Sequence, residues 1–276
     1  RFTSANSISL GRLLPQAVYP FYAYSKIDAA GAPFIASIPS GNFGNMMGTV
    51  VARQMGLPIE RIICGVNENT EFPDPWVVAG TLSAVTKRLR FTPNAFVLPM
   101  RNPYLAAKQI ATAAAITNDR ITLTIGVGWS KVEFGLVGQE FERRGRRADE
   151  MLVLMRKLWS GEFFSFEGEF YRCDRLKMTP PIPTAPIPVW VGGISDMALK
   201  RAARNDGWLS DLQTSAEILA CIEKIRGYRR AAGRSESFDV LASASDAHGV
   251  DAYRKLGDGG VTHVLTMPWA FYHGIT

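Results

Sequence analysis

The chain has 276 residues, of which 47% are hydrophobic and 20% charged, and it carries a formal net charge of +6. That length and apolar fraction can bury the core of one large domain. The sequence contains no apolar run of about 18 residues and no secretory leader pattern, so we expect no membrane partner and a cytoplasmic location.

The reactive residues and the charge exclude further classes of function. The cysteines lie far apart, without a CxxC or metal-ligand spacing, so we expect no metal site. Basic residues are scattered except at 143–147 and have no interleaved aromatics, so we expect no nucleic-acid partner. The positive charge suits an anionic small-molecule cofactor, or serves solubility alone. A homodimer is compatible with this composition.

The first 72 residues contain one strand–helix–strand unit behind an amphipathic helix. Residues 7–24 have an apolar helical face that Pro15 and Pro20 would bend. Apolar runs at 33–38 and 61–66 predict short buried strands. Between them, a glycine-rich turn at residues 40–45 opens a helix that reaches Met55.

From residue 74 onward, strands and helices alternate. Continuous apolar runs predict strands that begin near residues 90, 120, 188, 206, 238 and 261. Helical periodicity predicts helices at 75–87, 103–116, 147–159, 195–204, 214–232 and 249–256. An alternating segment at 163–171, centred on Glu167 and Gly168, predicts a hairpin outside the sheet. Such alternation indicates a parallel sheet, covered on both sides or closed into a barrel.

Counting both parts gives eight strands, so we predict an α/β fold with one (β/α)8 TIM-like barrel spanning residues 1–276. Strands one and two come from the first 72 residues. Too little chain follows strand eight for a closing helix, so the helix at 7–24 is predicted to fill the eighth helical position. The alternative is two lobes, an open sheet and a partial barrel, which would leave two strand edges uncovered.

Residues 1–72 resemble threonine synthase, a pyridoxal-phosphate (PLP) enzyme. The motifs are SANSI at 4–8, GRLLPQ at 11–16, PSGNFG at 39–44, MGLP at 55–58 and NEN at 67–69. The resemblance implies a phosphate or anion site at the helix N-terminus, where free N–H groups collect, formed by Ser40, Gly41, Asn42, Phe43, Gly44 and Asn45. The Schiff-base lysine of that family has no counterpart here, so we expect neither a PLP cofactor nor PLP chemistry.

Residues 73–268 resemble the luciferase-like oxidoreductases, which are flavin- or deazaflavin-dependent barrels. The motifs are DPWVV at 74–78, LPMRNP at 98–103, GVGW at 126–129, RG at 144–145 followed by DE at 149–150, and WVGG at 190–193. The resemblance implies deazaflavin (coenzyme F420) or FMN as cofactor. That family begins with its own strand–helix–strand unit, which the threonine-synthase-like segment replaces here, so we predict a chimera joined near residues 69–74.

The second resemblance also implies which residues bind the cofactor. The end of strand three supports the ring, often with a non-prolyl cis peptide, and corresponds to Asn94, Ala95 and Phe96. The end of strand four follows the ring edge or simply packs closely, and corresponds to Gly126, Val127 and Gly128. A turn that opens a helix fits the cofactor phosphate, and corresponds to Gly192, Gly193, Ile194 and Ser195.

The catalytic residues stay open at this point. The acidic–histidine pair that the family carries after strand two is missing, and Glu68 is either a substitute or an exposed loop residue. Residues 206–208 form a pocket wall or a structural tryptophan, and residues 143–147 reach a cofactor tail or start a solvated helix. The leading hypothesis is hydride transfer or monooxygenation; the alternative is a recombined or engineered barrel without turnover that binds phosphate, flavin or PLP.

Overall fold

A computed structural model describes residues 17–18, 20–22, 24–25, 34–39, 49, 52–66, 74–247 and 249–265, and only the backbone of 34–39 and 60–66. The strands are β1 (Phe34–Pro39), β2 (Ile59–Val66), β3 (Arg90–Pro93), β4 (Phe96–Val97), β5 (Leu123–Gly126), β6 (Phe164–Glu167), β7 (Arg172–Leu176), β8 (Val189–Gly192), β9 (Gly207–Gln213), β10 (Asp239–Ala244) and β11 (His263–Val264). The helices after residue 74 are α1 (Pro75–Ser83), α2 (Pro103–Thr117), α3 (Lys131–Leu136), α4 (Arg144–Trp159), α5 (Asp196–Ala203), α6 (Ser215–Ala231) and α7 (Val250–Asp258), with a 3-10 turn at Leu98–Met100.

The strands form parallel ladders in the predicted order. One sheet contains β1, β2 and β3, and a second contains β4, β5, β8, β9, β10 and β11 in that spatial order. The strands β3 and β4 are two pieces of one strand beside β5, because Phe91 forms a parallel bridge with Ile121 and Phe96 pairs with Ile125. Counted in this way, the described chain contains the eight predicted parallel strands.

Closure of the barrel stays a prediction. Over the described residues the ladder ends at β1 on one side and at β11 on the other, and no backbone pairing joins these two strands. The described residues between Ala17 and Ser25 are helical, and Ala17 is buried in the same core as the other helices. The placement of this helix in the eighth position stays a prediction.

Side chains divide between two faces of the sheet. On the outer face, Ile125, Val191 and Trp208 join one large core with the buried residues of the helices. The inner face carries a separate cluster of Trp190, Leu209, Leu241 and Leu265, against which Ala95 packs. Because the described helices contribute to the outer core, the inner face is built by strands and the residues that directly follow them.

Local sequence explains where the helices begin. Asp74 accepts hydrogen bonds from the backbone of Trp76 and Val77, and Pro75 occupies the first turn of α1. The helix α2 begins in the same way, with Asn102 as its N-cap before Pro103. Side-chain caps and a proline in the first turn are strong start signals, so both helices begin at the predicted residue, although α1 ends at Ser83 rather than at residue 87. No helix in the described part of the chain has the length and apolar character needed to cross a bilayer.

One local prediction was wrong, and one short helix was not predicted. The hairpin consists of β6 and β7, so its second arm starts at Arg172 rather than within 163–171. The cause is Glu150, whose carboxylate accepts the backbone N–H groups of Glu169, Phe170 and Tyr171 at 2.8–3.1 Å and holds them in the turn. The short helix α3 was missed, because its six residues show too little periodicity to detect.

Candidate active site

Three small residues meet on the inner face where consecutive strands end. Gly126 ends β5, Gly192 ends β8, and Ala95 lies directly before β4. A methyl group placed on Gly126 would lie 3.5 Å from the Ala95 Cβ, and one placed on Gly192 would lie 4.0 Å from that same atom. The same position on Gly192 lies 3.6 Å from the Leu209 Cδ2. We call Ala95, Gly126, Gly192 and Leu209 the site floor.

The backbone at Ala95 has the geometry that the resemblance implies. The peptide bond between Asn94 and Ala95 is cis. Ala95 then faces the inner cluster, whereas Phe96 is 1% exposed and packs in the outer core against Trp76. Successive strand residues point to opposite faces. The side chain of Phe96 therefore does not reach the site floor, and a cofactor contact through the backbone of Phe96 stays a prediction.

Large side chains close the inner face beneath the site floor. Trp190 is 4% exposed, and its ring lies 5.2 Å from that of His263. A methyl group on Gly207 would come within 2.3 Å of the Trp190 Cδ1, so the indole lies against this glycine. We call Trp190 and Gly207 the inner plug. The floor is therefore apolar and backed by packed side chains.

The two glycines of the turn after β5 have different roles. Gly128 has φ +75°, and a methyl group there would lie 2.8 Å from both Phe134 and Val97. Gly128 is thus required by close packing, whereas Gly126 faces the floor. Of the two interpretations offered for this segment, close packing describes Gly128, whereas the cofactor contact at Gly126 stays a prediction.

The turn after β8 forms the start of a helix. Gly193 has φ +112°, and Ser195 is the N-cap of α5, accepting a hydrogen bond from the Ala198 N–H at 3.2 Å. The indole N–H of Trp208 donates to the Gly193 carbonyl at 2.9 Å, and Trp208 is fully buried in the outer core. Trp208 is therefore a structural residue that anchors this turn. The sequence predicted this structural role as one of two alternatives, but not the hydrogen bond to Gly193.

The charge at the start of α5 is already balanced. Asp196, its first residue, forms an ion pair with Lys200 at 2.7 Å and accepts a hydrogen bond from the Tyr228 hydroxyl. The bonds from Lys200 and Tyr228 lower the pKa of Asp196, and the bond to Asp196 raises the pKa of Lys200. Because Lys200 neutralises this carboxylate, the partial positive charge at the helix N-terminus can still attract an anion.

The arginine run has two kinds of member. Arg143 and Arg146 are exposed and form ion pairs with Glu169, at 3.1 and 2.5 Å. Arg144 donates to the Gly128 carbonyl at 2.9 Å, and Arg147 is 4% exposed. The prediction of a solvated helix start therefore holds for half of the run, and the other half points into the fold.

Several predicted site residues lie outside the described residues. These are Glu68 and the whole predicted phosphate turn, Ser40, Gly41, Asn42, Phe43, Gly44 and Asn45. Across the described segments, no group of His, Cys, Asp or Glu side chains is spaced to hold a metal ion.

The similarity to known proteins covers the part of the chain that builds the site floor. The family model described as "Luciferase-like monooxygenase" matches residues 60–249. An uncharacterized protein of Mycobacterium tuberculosis is 40% identical over 194 residues, which cover 70% of this chain and 67% of that protein. An FMNH(2)-dependent dimethylsulfone monooxygenase of Pseudomonas fluorescens is 36% identical over 168 residues, covering 59% of this chain and 45% of that enzyme.

A solved structure with the same fold is the coenzyme F420-dependent tetrahydromethanopterin reductase from Methanopyrus kandleri. It superposes with a TM-score of 0.64 at 17% identity, over 76% of this chain and 65% of the reductase. The family match begins at residue 60, the second residue of β2, although the resemblance was predicted to begin near residue 73. These comparisons give no support for a threonine synthase segment or a chimera.

Proposed function

Because the chain belongs to the luciferase-like monooxygenase family, we propose that it is a flavin- or deazaflavin-dependent oxidoreductase whose cofactor ring lies on the site floor. The observation that carries the proposal is the meeting of Ala95, Gly126 and Gly192 at the carboxyl ends of adjacent strands. Active sites of parallel α/β barrels lie at this end of the strands.

The floor fits a flat aromatic ring. It has no ionisable side chain. Because its two glycines have no Cβ, no side-chain atom at these positions would obstruct a ring laid across the strands. Leu209 supplies apolar contact, and the inner plug excludes water from below. A broad apolar surface with few polar groups is typical of cofactor sites.

The turn at Gly192, Gly193, Ile194 and Ser195 would hold the cofactor phosphate. It provides backbone N–H groups at the start of α5, and the adjacent Asp196 is paired with Lys200. Gly193 adopts a positive φ that brings the backbone close to a ligand. The proposal thus places ring and phosphate on two neighbouring segments, β5 and the β8–α5 turn.

The reaction class follows from the cofactor. When bound, the cofactor would supply hydride transfer or monooxygenation, and the protein's own residues supply position and an environment without water. Ala95 and Gly126 support the ring, and the β8–α5 turn orients the phosphate. A proton-transferring residue is not assigned; Glu68 stays a prediction.

The cofactor is either coenzyme F420 or FMN. The Pseudomonas relative is named as FMNH(2)-dependent and the Methanopyrus structure as F420-dependent, so both chemistries occur among proteins similar to this chain. Both cofactors are anionic, which agrees with the net charge of +6. We further propose a single barrel domain and a cytoplasmic location.

The test is retention of cofactor. Purified protein is incubated with FMN, coenzyme F420 or PLP, desalted, and examined by absorbance and fluorescence. We expect retention of FMN or F420, and loss of that retention in Gly126→Val, whose side chain would cover the floor. Gly227→Ala is the matched control, because a methyl group there meets nothing within 4 Å.

Failure to retain either flavin would contradict the proposal. Retention of PLP with the spectrum of the free aldehyde, and no aldimine band, would instead favour the phosphate-binding alternative that the PSGNFG motif at 39–44 suggests. Equal FMN or F420 retention by Gly126→Val and wild type would show that the ring does not lie on this floor.

A further inference from the structure

We propose that Arg144 and Arg147 are positioning residues, which hold the two loops beside the site floor in the geometry that the cofactor requires. The two loops are the turn after β5, at residues 126–129, and the 3-10 turn Leu98–Met100 after β4. This inference rests on the proposed function, because that function makes these loops part of a cofactor site.

Arg144 fixes the turn after β5 from outside. Its Nε donates to the Gly128 carbonyl at 2.9 Å, and its guanidinium carbon lies 3.8 Å from the centre of the Phe141 ring. Gly128 is two residues after Gly126, which faces the floor. The contact therefore holds the backbone of the turn immediately beyond the floor, in a conformation where φ is already positive.

Arg147 fixes the turn after β4. One of its terminal nitrogens donates to the Pro99 carbonyl at 3.2 Å and also to the Glu140 carbonyl. Pro99 follows Val97, which pairs with Gly126 across the sheet. A single buried guanidinium thus joins the end of β4 to the segment between α3 and α4.

The burial of Arg147 is costly in local terms. The side chain is 4% exposed, its Nε is buried without a hydrogen-bond partner, and no carboxylate of the described residues lies within ion-pairing distance. A buried cation without a counter-ion is strongly disfavoured. Charge-assisted hydrogen bonds to two carbonyls offset part of that cost.

The arginines at the start of α4 do not stabilise the helix itself. Arg143 at the N-cap makes no capping hydrogen bond, and no acidic residue stands in the first turn. Cations at a helix N-terminus oppose the helix dipole, so helix stability does not account for these arginines. Arg144 and Arg147 instead make tertiary contacts, which connect α4 to the loops at the ends of β5 and β4.

The experiment replaces each arginine by lysine in the full chain. Lysine keeps the charge but loses the planar fork that binds two carbonyls or stacks on a ring. Arg144→Lys and Arg147→Lys are compared with Arg146→Lys, a control in the same run whose side chain is 68% exposed and pairs with Glu169. The readouts are the Kd for FMN or F420 by fluorescence titration, the melting temperature, and amide hydrogen exchange of residues 96–101 and 126–129.

We expect Arg144→Lys and Arg147→Lys to weaken cofactor binding about tenfold, the effect of losing one charge-assisted hydrogen bond. Exchange should become faster in both loop segments, and Arg146→Lys should resemble wild type. A lower melting temperature with unchanged Kd and unchanged loop exchange would overturn the proposal, since it would show a purely structural role.

The two proposals can fail separately. If wild type binds neither cofactor, the proposed function fails, and loop exchange in Arg144→Lys still decides whether the arginine holds the turn. If Arg147→Lys does not fold, Arg144→Lys and Arg144→Gln carry the test, because Arg144 is only partly buried. Normal exchange and normal binding in both Arg144 variants would contradict the inference.

Discussion

The inner face of the sheet is built in opposite ways at two levels. At the carboxyl edge, the site floor has small residues, and methyl groups on Gly126 and Gly192 would meet their neighbours at 3.5 Å or more. One level lower, in the inner plug, a methyl group on Gly207 would lie 2.3 Å from Trp190. Glycine at the floor leaves a surface accessible, whereas glycine in the plug makes room for an indole. Residue type alone therefore does not distinguish a binding surface from a core.

The largest loss of stability is expected from a variant that disrupts the packing of the inner plug. In Gly207→Ala the added methyl group would collide with Trp190, and such overpacking costs about 1–3 kcal/mol of unfolding free energy. Thermal and urea unfolding measure the loss. Cofactor affinity of the folded fraction should change little, because the floor is a different set of residues. Unchanged stability would show that Trp190 can move away and that the plug is not tightly packed.

The next variant tests whether the turn after β8 depends on its hydrogen bond to Trp208 in the outer core. Trp208→Phe removes the N–H that bonds to the Gly193 carbonyl and should cost about 1–2 kcal/mol, because a partly buried acceptor loses its donor. FMN affinity should fall more than riboflavin affinity, since the anchored turn is assigned to the phosphate. Trp159→Phe is the control, because it loses a comparable indole hydrogen bond, to the Ala107 carbonyl on α2, and should not distinguish FMN from riboflavin. Equal losses for FMN and riboflavin would place the phosphate elsewhere.

A smaller change in stability should accompany Gly192→Ala. The new methyl group would lie 3.5 Å from the Ile125 carbonyl oxygen and 3.6 Å from Leu209, both ordinary contacts. We therefore expect less than about 1 kcal/mol change in stability, with about tenfold weaker cofactor binding through lost space over the floor. Parallel thermal and fluorescence titrations measure both, against Gly227→Ala. Stability loss comparable to that of Gly207→Ala would mean that floor and plug do not differ.

The smallest effect is expected at Asp196, the first residue of α5. Bonds from Lys200 and Tyr228 lower its folded pKa from the ordinary value of 3.8. The stabilisation is therefore fully present above about pH 3.8 and is lost as pH falls through the folded pKa. Unfolding of wild type and Asp196→Asn, followed from pH 6 to about pH 2, should differ slightly at high pH and converge at low pH. A constant difference would contradict the assigned ion pair.

Much of the architecture could be predicted because its signals are local. The caps at Asp74 and Asn102 and the apolar runs of the strands lie within the elements that they define. The order of eight strands and the helices between them followed from those signals, and the motifs from residue 74 onward indicated the family. The threonine-synthase-like motifs lie largely outside the described residues and remain a resemblance without support from the comparisons.

Other features required contacts between distant residues. Glu150 moved the hairpin turn by binding backbone groups about 20 residues away, and Arg147 reaches the carbonyl of Pro99, which is 48 residues earlier. Neither the hairpin nor the arginine run has a local pattern that encodes these contacts.

By itself, the sequence determined the alternation of strands and helices, the family, and the short segments in which a cofactor site should lie. The tertiary structure decided which residue of each segment lies at the site floor: Ala95 but not the Phe96 side chain, and Gly126 but not Gly128. The physical reason is that facing depends on where neighbouring strands and packed rings lie, and those neighbours come from remote parts of the chain.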